Sequence, residues 1–144
     1  MIGAAEMATR LQLSPLPGEG GLFRRTYADE RSSAILYLLT ADDFSALHRL
    51  PSPELWHFHS GAPLAMLLLH PDGIGETAEL DPLKRPQLVV PGGVWQGAAS
   101  TGAWSLVGTT MAPPYREEDV ELGDPAALRR GWPAYANQIR SLTR

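Results

Sequence analysis

Short β-type segments, each closed off by glycine or proline, follow one another along most of this chain and restrict the folds open to it. The sequence has 14 glycines and 13 prolines, spread along its length rather than gathered in one tract. Between these breaks lie runs rich in apolar, aromatic or β-branched residues, which are typical of strands. These runs are residues 22–27, 34–40, 55–59, 64–70, 77–80, 87–90, 95–99 and 103–111. Since helices do not alternate with them, we predict a mainly β chain that forms an antiparallel sandwich or barrel.

Both ends of the chain have helical composition. Residues 4–12 are good helix formers that precede a series of prolines and glycines. Near the other end, residues 125–130 and 134–142 are predicted as two short helices, because Gly131 and Pro133 lie between them. The length suits a single core, so residues 1–144 are expected to form one domain.

The composition indicates an ordinary globular protein, with 44% hydrophobic and 19% charged residues and a formal net charge of −4. Without a basic cluster, neither nucleic acid nor an anionic membrane is an expected partner. The absence of cysteine excludes disulfides and thiolate chemistry, and it fits a reducing compartment. The longest apolar run, near residues 64–69, is far shorter than the ~20 residues of a membrane span. The first residues also lack the pattern of an export signal, so we expect a cytoplasmic protein.

The segment SAILYLLT, residues 33–40, is apolar at nearly every position, as expected of a strand that is covered on both faces. One face would line the interior, and the other needs a helix, a second sheet or a partner chain. Pairing of two copies would also protect exposed strand edges. We therefore predict a homodimer, with a monomer whose terminal helices cover the strand as the alternative.

Several blocks of the sequence, in one order, resemble the Cupin_5 family, also catalogued as DUF985. The blocks are GEGGLFRRTY, SAILYLLTADDFSALHRL, PELWHFHSGAPL, VVPGGVWQGA, WSLVGTTMAP and PAYANQIRSLTR. The resemblance runs from about residue 11 to the C-terminus. It implies the cupin double-stranded β-helix, or jelly-roll barrel, a frequent dimeric state and a shape similar to dTDP-sugar epimerases. The resemblance supplies the barrel topology, which the strand pattern leaves open.

The stretch HRLPSPELWHFHSG, residues 48–61, is similar to an altered first cupin motif. Metal-binding cupins have two histidines one residue apart, then a glutamate, then a glycine seven residues later. Glu54 and Gly61 keep that last spacing, whereas His48 stands alone six residues before Glu54. The resemblance thus implies that His48 and Glu54 face the interior of the barrel.

The second cupin motif is also altered. Its Pro-x-Gly is present as Pro91, Gly92 and Gly93, but Gln96 stands where the family pattern has a histidine ligand. A neutral amide oxygen binds late transition metals more weakly than imidazole does. No cofactor is therefore certain, and a divalent metal held by His48, Glu54 and Gln96 is an alternative.

Strand alternation places the two histidines that follow Glu54 on the opposite face of the strand from Glu54. If Glu54 points into the barrel, His57 and His59 point outward unless a bulge shifts the register. His59 is therefore interpreted as a surface or interface residue, and His57 is left open between pocket and structural support. His70 precedes a Pro-Asp-Gly turn and is interpreted as a solvated strand end.

Further polar and aromatic residues are candidates for ligand binding, namely Arg24, Tyr37, His57, Trp95 and Gln96. A phenol such as that of Tyr37 usually satisfies its hydroxyl at the mouth of a barrel. Trp95, like Trp104, belongs either to the core or to a stacking surface. The resemblance favours Arg24 as an inward anion anchor and leaves any role of Arg25 open. GEGG at 18–21 precedes a strand rather than a helix, so it is interpreted as a turn and not as a phosphate loop.

Three functions remain open from the sequence. The first is an epimerase or isomerase of a sugar or nucleotide-sugar, with His48 and Glu54 as an acid/base pair whose pKa values burial would tune. The second is a metal-dependent cupin enzyme of dioxygenase or isomerase type, with His48, Glu54 and Gln96 as ligands. The third is a module that binds a small polar ligand without turnover. Because one fold hosts many functions, the fold cannot choose among them, and whether the chain is an enzyme stays open.

Overall fold

The computed structural model describes residues 2–144, and the strands in this range form two antiparallel sheets. The strands are β1 Ser14–Pro15, β2 Leu22–Ala28, β3 Ser33–Thr40, β4 Ser45–Arg49, β5 Glu54–Gly61, β6 Leu64–Leu69, β7 Gly75–Leu80, β8 Gln87–Val90, β9 Trp95–Ser100, β10 Trp104–Met111 and β11 Glu121–Leu122. The α-helices are α1 Ala4–Arg10, α2 Pro125–Gly131 and α3 Ala136–Ser141. The predicted class, mainly β with short helices at both ends, is confirmed. Within residues 2–144, no helix is long and apolar enough to cross a membrane.

The main core lies between the two sheets. One sheet has the strand order β1-β2-β3-β10-β5-β8, and the other has the order β11-β4-β9-β6-β7. Their facing surfaces bury an apolar cluster that includes Tyr37, Trp56, Leu64, Met66 and Val107. Because successive residues of a strand point to opposite faces, β5 directs Glu54 and Trp56 into this same interior.

The terminal helices cover the outer faces of the sheets. Helices α2 and α3 contribute Leu128 and Ile139 to a second apolar cluster on the five-stranded sheet. Helix α1 packs on the outer face of β3 and β10, against Leu38 and Trp104. This packing explains why nearly every residue of SAILYLLT is apolar, since the strand is covered by the core on one side and by α1 on the other.

Four edge strands remain without a strand partner on their outer sides in the described part of the chain: β7 and β8, and the two-residue strands β1 and β11. On β8 the side chain of Val89 is 54% exposed. The homodimer stays a prediction that rests on such edges, because pairing of two copies would cover them. We expect light scattering of the purified protein to give twice the mass of the chain, and the mass of a single chain would contradict this prediction.

The sequence pattern does not predict three of the strands. Strand β4, with the sequence SALHR, has neither a long apolar run nor clear alternation, and β1 and β11 have only two residues each. Strand β4 pairs with β9 on one side and with β11 on the other. Its extended conformation therefore depends on partners that lie far along the chain, and a local pattern does not predict it.

Candidate functional site

Four polar side chains meet between the two sheets, and we call them the interior cluster: Glu19, His48, Glu54 and Gln96. His48 on β4 and Gln96 on β9 are cross-strand neighbours in the five-stranded sheet. Glu54 begins β5 in the opposite sheet, and Glu19 comes from the loop between β1 and β2. All four are buried, with exposed fractions of 1% for His48 and Gln96, 5% for Glu54 and 7% for Glu19. Burial at this level makes every hydrogen bond and charge in the cluster important.

Gln96 links the two sheets through both ends of its amide. Its Oε1 accepts a hydrogen bond from Trp56 Nε1 at 2.7 Å, and its Nε2 donates to Glu54 Oε1 at 3.0 Å. Since an indole N–H can only donate, the amide atom beside Trp56 must be the oxygen. The amide NH₂ is therefore directed at the carboxylate of Glu54, which it orients and stabilises.

His48 lies between two carboxylates. Its Nδ1 is 2.7 Å from the carbonyl oxygen of Ala46, which only accepts, so Nδ1 carries a proton and donates. Its Nε2 is 3.3 Å from Glu19 Oε1 and 3.9 Å from Glu54 Oε1. Burial by itself lowers the pKa of His48, but the attraction of Glu19 and Glu54 outweighs burial and raises the pKa to about 9. His48 is therefore a buried cation at neutral pH.

Glu19 and Tyr37 are joined through the loop that carries Glu19. Burial raises the pKa of Glu19 above its usual value, although the charge of His48 acts in the opposite direction. The hydroxyl of Tyr37 donates to the carbonyl oxygen of Gly20 at 2.5 Å. Burial, followed by the nearby charge of Glu19, raises the pKa of Tyr37 well above its usual value, so the phenol stays neutral. Tyr37 thus acts as a support of the Glu19 loop.

A cleft with a volume of about 800 Å³ opens beside the interior cluster. Its walls include Glu19, Phe23, Arg25, Tyr115 and Leu122, so carboxylate, guanidinium and apolar groups all face it. Deeper in, a pocket of about 20 Å³ is lined by Glu19 and Glu54, and also by Arg25 and Tyr115. That inner volume is on the order of one water molecule. Glu19 lines both spaces, as do Phe23, Arg25 and Tyr115, so the two spaces adjoin each other.

Arg25 and Tyr115 lie at the boundary between the cleft and the inner pocket. Arg25 Nη2 donates to the carbonyl oxygen of Tyr115 at 3.3 Å, and its guanidinium carbon is 5.6 Å from the centre of the Tyr115 ring. Burial raises the pKa of Tyr115 to about 12, so its hydroxyl is a hydrogen-bond donor at neutral pH. Because the Arg25 side chain is long and exposed, it can change its rotamer to admit a ligand at a small cost in free energy.

Arg24 and Trp95, both predicted to bind ligand, lie outside the cleft. Arg24 is exposed, and its Nη1 donates to Gln12 Oε1 at 3.3 Å on the outer side of β2. Trp95 is on the opposite face of β9 from Gln96, in the apolar cluster beneath α2 and α3, with the Arg49 guanidinium 4.5 Å from its ring centre. Neither side chain is among those that the structure brings to the interior cluster.

The other histidines lie away from the cluster as well. His57 and His59 are on the outer face of β5, as strand alternation predicts. The two ring nitrogens of His57 lie 2.9 Å from Thr110 Oγ1 and 3.0 Å from Gln87 Nε2, and burial lowers its pKa. His70 follows β6 and pairs with Glu76 at 3.0 Å. The structure thus places His57 as a support between strands, outside the cleft.

The cleft is lined by residues that the sequence interpretation did not select, among them Glu19, Phe23 and Arg25. Phe23 packs against the main core, and Arg25 lies two residues later on the same face of β2. This alternation was a usable signal for Arg25. No comparable signal exists for Glu19, because the flanking glycines predict a turn but not the direction in which the side chain points.

The interior cluster does not fit the metal site that the cupin motifs would imply. The only oxygen of the Gln96 side chain is taken by Trp56, and the amide NH₂ that faces the cluster cannot bind a cation. Across residues 2–144, no group of three or more His, Cys, Asp or Glu side chains is arranged to hold a metal ion. The cluster is instead a charged group in which His48 lies between two carboxylates.

Two facing antiparallel sheets with a buried polar cluster, reached through a cleft, define a small protein of the cupin class. The sequence profile of Cupin_5, described as cupin superfamily (DUF985), matches residues 5–123. The chain belongs to this family, which confirms the resemblance seen in the sequence. A search among curated proteins finds no significant match.

Solved structures agree with this assignment. A protein from Shewanella oneidensis has a TM-score of 0.91 and 32% identity, covering 100% of this chain and 99% of that one. A hypothetical protein from Leishmania major has a TM-score of 0.90 and 24% identity, covering 99% of both chains. A dTDP sugar isomerase from Desulfovibrio desulfuricans has a TM-score of 0.57 and 18% identity over 78% of this chain and 79% of its own. At that identity, the likeness shows the fold alone.

Proposed function

We propose that the protein binds a small polar ligand of the sugar or nucleotide-sugar class in the cleft and transfers protons on it, as an epimerase or isomerase does. One observation carries the proposal: a buried imidazole lies between two carboxylates, and one of them, Glu19, lines a cleft of about 800 Å³. This volume is within the range of small-molecule sites, roughly 300–1,000 Å³. The likeness in fold to a dTDP sugar isomerase agrees with this class but does not establish it.

The walls of the cleft suit such a ligand. Phe23 and the half-exposed Leu122 offer apolar surface against which a sugar or base ring can pack. Arg25 offers a guanidinium that can pair with a phosphate or carboxylate group of the ligand. Glu19 presents a carboxyl group to the polar part of the ligand. Together these groups favour a polar ring compound that carries an anionic group.

The chemistry follows from the inner pocket. Glu54 faces it, and the amide of Gln96 holds one carboxylate oxygen in place. A carboxylate so positioned can remove a proton from a carbon next to a carbonyl group, and returning the proton to the opposite face of that carbon inverts it. His48 lies behind the carboxylate, where its positive charge balances the buried negative charges. His48 and Glu54 thus act together, with Glu54 nearer to the ligand.

The proposal predicts exchange of a carbon-bound proton with solvent. A panel of free keto sugars and dTDP-linked keto sugars would be screened for binding by thermal shift and then incubated with the protein in D₂O. We expect at least one member to raise the unfolding temperature and to gain deuterium at the carbon next to its carbonyl group. Proton NMR of the sugar measures that gain.

Other outcomes decide between this proposal and the alternatives. A ligand that binds in the cleft but gains no deuterium would contradict catalysis and favour a binding module. If the panel gives neither binding nor exchange, the proposed substrate class is wrong. Exchange that stops on dialysis against a chelator and returns with a divalent metal would favour the metal-dependent alternative.

A further inference from the structure

Glu19 occupies a special place in the interior cluster, since it lines both the open cleft and the inner pocket. Its side chain is 8% exposed. Its Oε1 lies 3.3 Å from His48 Nε2 and accepts a hydrogen bond from Ser45 Oγ at 3.2 Å. A carboxyl group so buried needs partners of this kind, and it stands where a ligand in the cleft would meet it.

The loop around Glu19 is held rigidly. Ala46 N donates to the Glu19 carbonyl oxygen at 2.7 Å, and Arg144 Nη2 donates to the same oxygen at 3.1 Å. Gly20 has a φ of +96°, and a Cβ there would overlap the Arg144 guanidinium and the carbonyl oxygen of Phe44. Only glycine fits this position without strain. The backbone thus fixes the direction of Glu19, as a group that acts on a ligand requires.

The contacts of the His48 ring indicate a proton on the side that faces Glu19. His48 Nδ1 donates to Ala46, so a neutral ring would direct an unprotonated Nε2 at Glu19 Oε1 and Glu54 Oε1. Lone pairs facing one another in a buried site are unfavourable. One proton therefore lies on His48 Nε2 at rest, and Glu19 Oε1, 3.3 Å away, can receive it.

We propose that Glu19 is the second acid/base group of the site, which delivers this shared proton to the ligand opposite Glu54. The inference rests on the proposed function and assigns its second proton carrier. Glu54 takes the proton from the carbon next to the carbonyl group, which leaves an enolate. Glu19 receives the proton of His48 Nε2 and gives it to the other face of that carbon. The proton on Glu54 then passes to His48 Nε2, which restores the starting state.

The electrostatics support these roles. Burial, with a further contribution from the negative charge of Glu54, raises the pKa of Glu19. A raised pKa leaves a larger fraction of a carboxyl group protonated at a given pH, and only the protonated form can act as an acid. His48 Nε2 lies within 3.9 Å of both carboxylates, so one imidazole can return the proton.

A titration without substrate tests the shared proton. Carboxyl groups of ¹³C-labelled glutamate and the His48 imidazole would be followed by NMR in the wild type and in Glu19→Gln. We expect Glu19 to titrate above the exposed glutamates, and the pKa of His48 to fall by at least about one unit in Glu19→Gln. Glu79→Gln, which changes an exposed residue on β7, should leave the pKa of His48 unchanged. A pKa of Glu19 equal to that of the exposed glutamates, or a pKa of His48 that is the same in Glu19→Gln as in the wild type, would overturn the inference.

A second experiment tests delivery of the proton, with the keto sugar that the panel identifies. In Glu19→Gln, Glu54 can still remove and return a proton on one face, so deuterium exchange should continue while inversion falls at least about 100-fold. If the rates of deuterium exchange and of inversion fall equally in Glu19→Gln, or if the rate of inversion is unchanged, the role of Glu19 is wrong. If the wild type promotes deuterium exchange on none of the sugars in the panel, the proposed function is wrong, and the catalytic role of Glu19 is wrong with it. If only the role proposed for Glu19 is wrong, the Glu19→Gln variant exchanges and inverts the sugar as the wild type does.

Discussion

Replacement of Glu54 by glutamine is expected to slow deuterium exchange on a bound keto sugar at least about 100-fold, because an amide cannot accept the proton that the carboxylate removes. The fold should persist, since glutamine has nearly the same shape and still offers an oxygen to Gln96 Nε2. Affinity for the sugar should change by less than about tenfold, because the cleft walls supply most of its contacts. Exchange is measured by proton NMR and affinity by calorimetry.

The matched control is Glu79→Gln, which makes the same chemical change on the exposed edge strand β7. Both exchange and affinity should equal those of the wild type in this variant. Exchange that survives in Glu54→Gln at more than about a tenth of the wild-type rate would show that another group removes the proton. If affinity and exchange fall together in Glu54→Gln, Glu54 holds the ligand and does not act as the base.

The second large effect concerns stability. His48→Gln is expected to lower the free energy of unfolding by roughly 3 kcal/mol around neutral pH, because it removes the cation between two buried carboxylates. Denaturation by urea measures this loss. In the control His59→Gln, an exposed histidine is replaced, and the change should stay within about 0.5 kcal/mol.

The same charge makes stability depend on pH. The pKa of His48 is raised from its ordinary 6.5 to about 9, so the folded state holds a proton that the unfolded state has released. The stabilisation is fully present below pH 6.5 and is lost as the pH rises through about 9, a decline of roughly 3 kcal/mol. Glu19, whose pKa burial also raises, adds a decline of the same sign.

In His48→Gln the free energy of unfolding lacks the part of this decline that comes from the histidine. The curves of unfolding free energy against pH for the wild type and the variant should therefore converge above about pH 9. Unfolding by urea at a series of pH values gives both curves. A variant that matches the wild type at pH 6.5, or an equally steep decline in both proteins, would show that His48 carries no charge in the fold.

Much of the fold is predictable from local sequence. Strands β3, β6 and β10 are runs of apolar and β-branched residues between turn formers, and their burial in the sheets is what such runs require. Strand alternation also predicts that Glu54 and His57 lie on opposite faces of β5. Strand β4 differs, because SALHR becomes a strand only by pairing with β9 and β11.

The candidate site is predictable in part. The motif spacing points to His48, Glu54 and Gln96, and the structure brings these three together. It directs Arg24 and Trp95 elsewhere, because each lies on the face of its strand that points away from the cleft. For Trp95 the deciding contact is the packing of α2 and α3, which no motif describes.

The sequence by itself determined the β class, the family and the side of β5 that faces inward, because these depend on residue type and on the two-residue period of a strand. Tertiary structure decided that Glu19 joins His48 and Glu54, and that Gln96 turns its oxygen to Trp56 and not to a cation. Such contacts join residues that are distant along the chain. Strand register, loop direction and sheet packing set them, and these are long-range properties that local pattern does not contain.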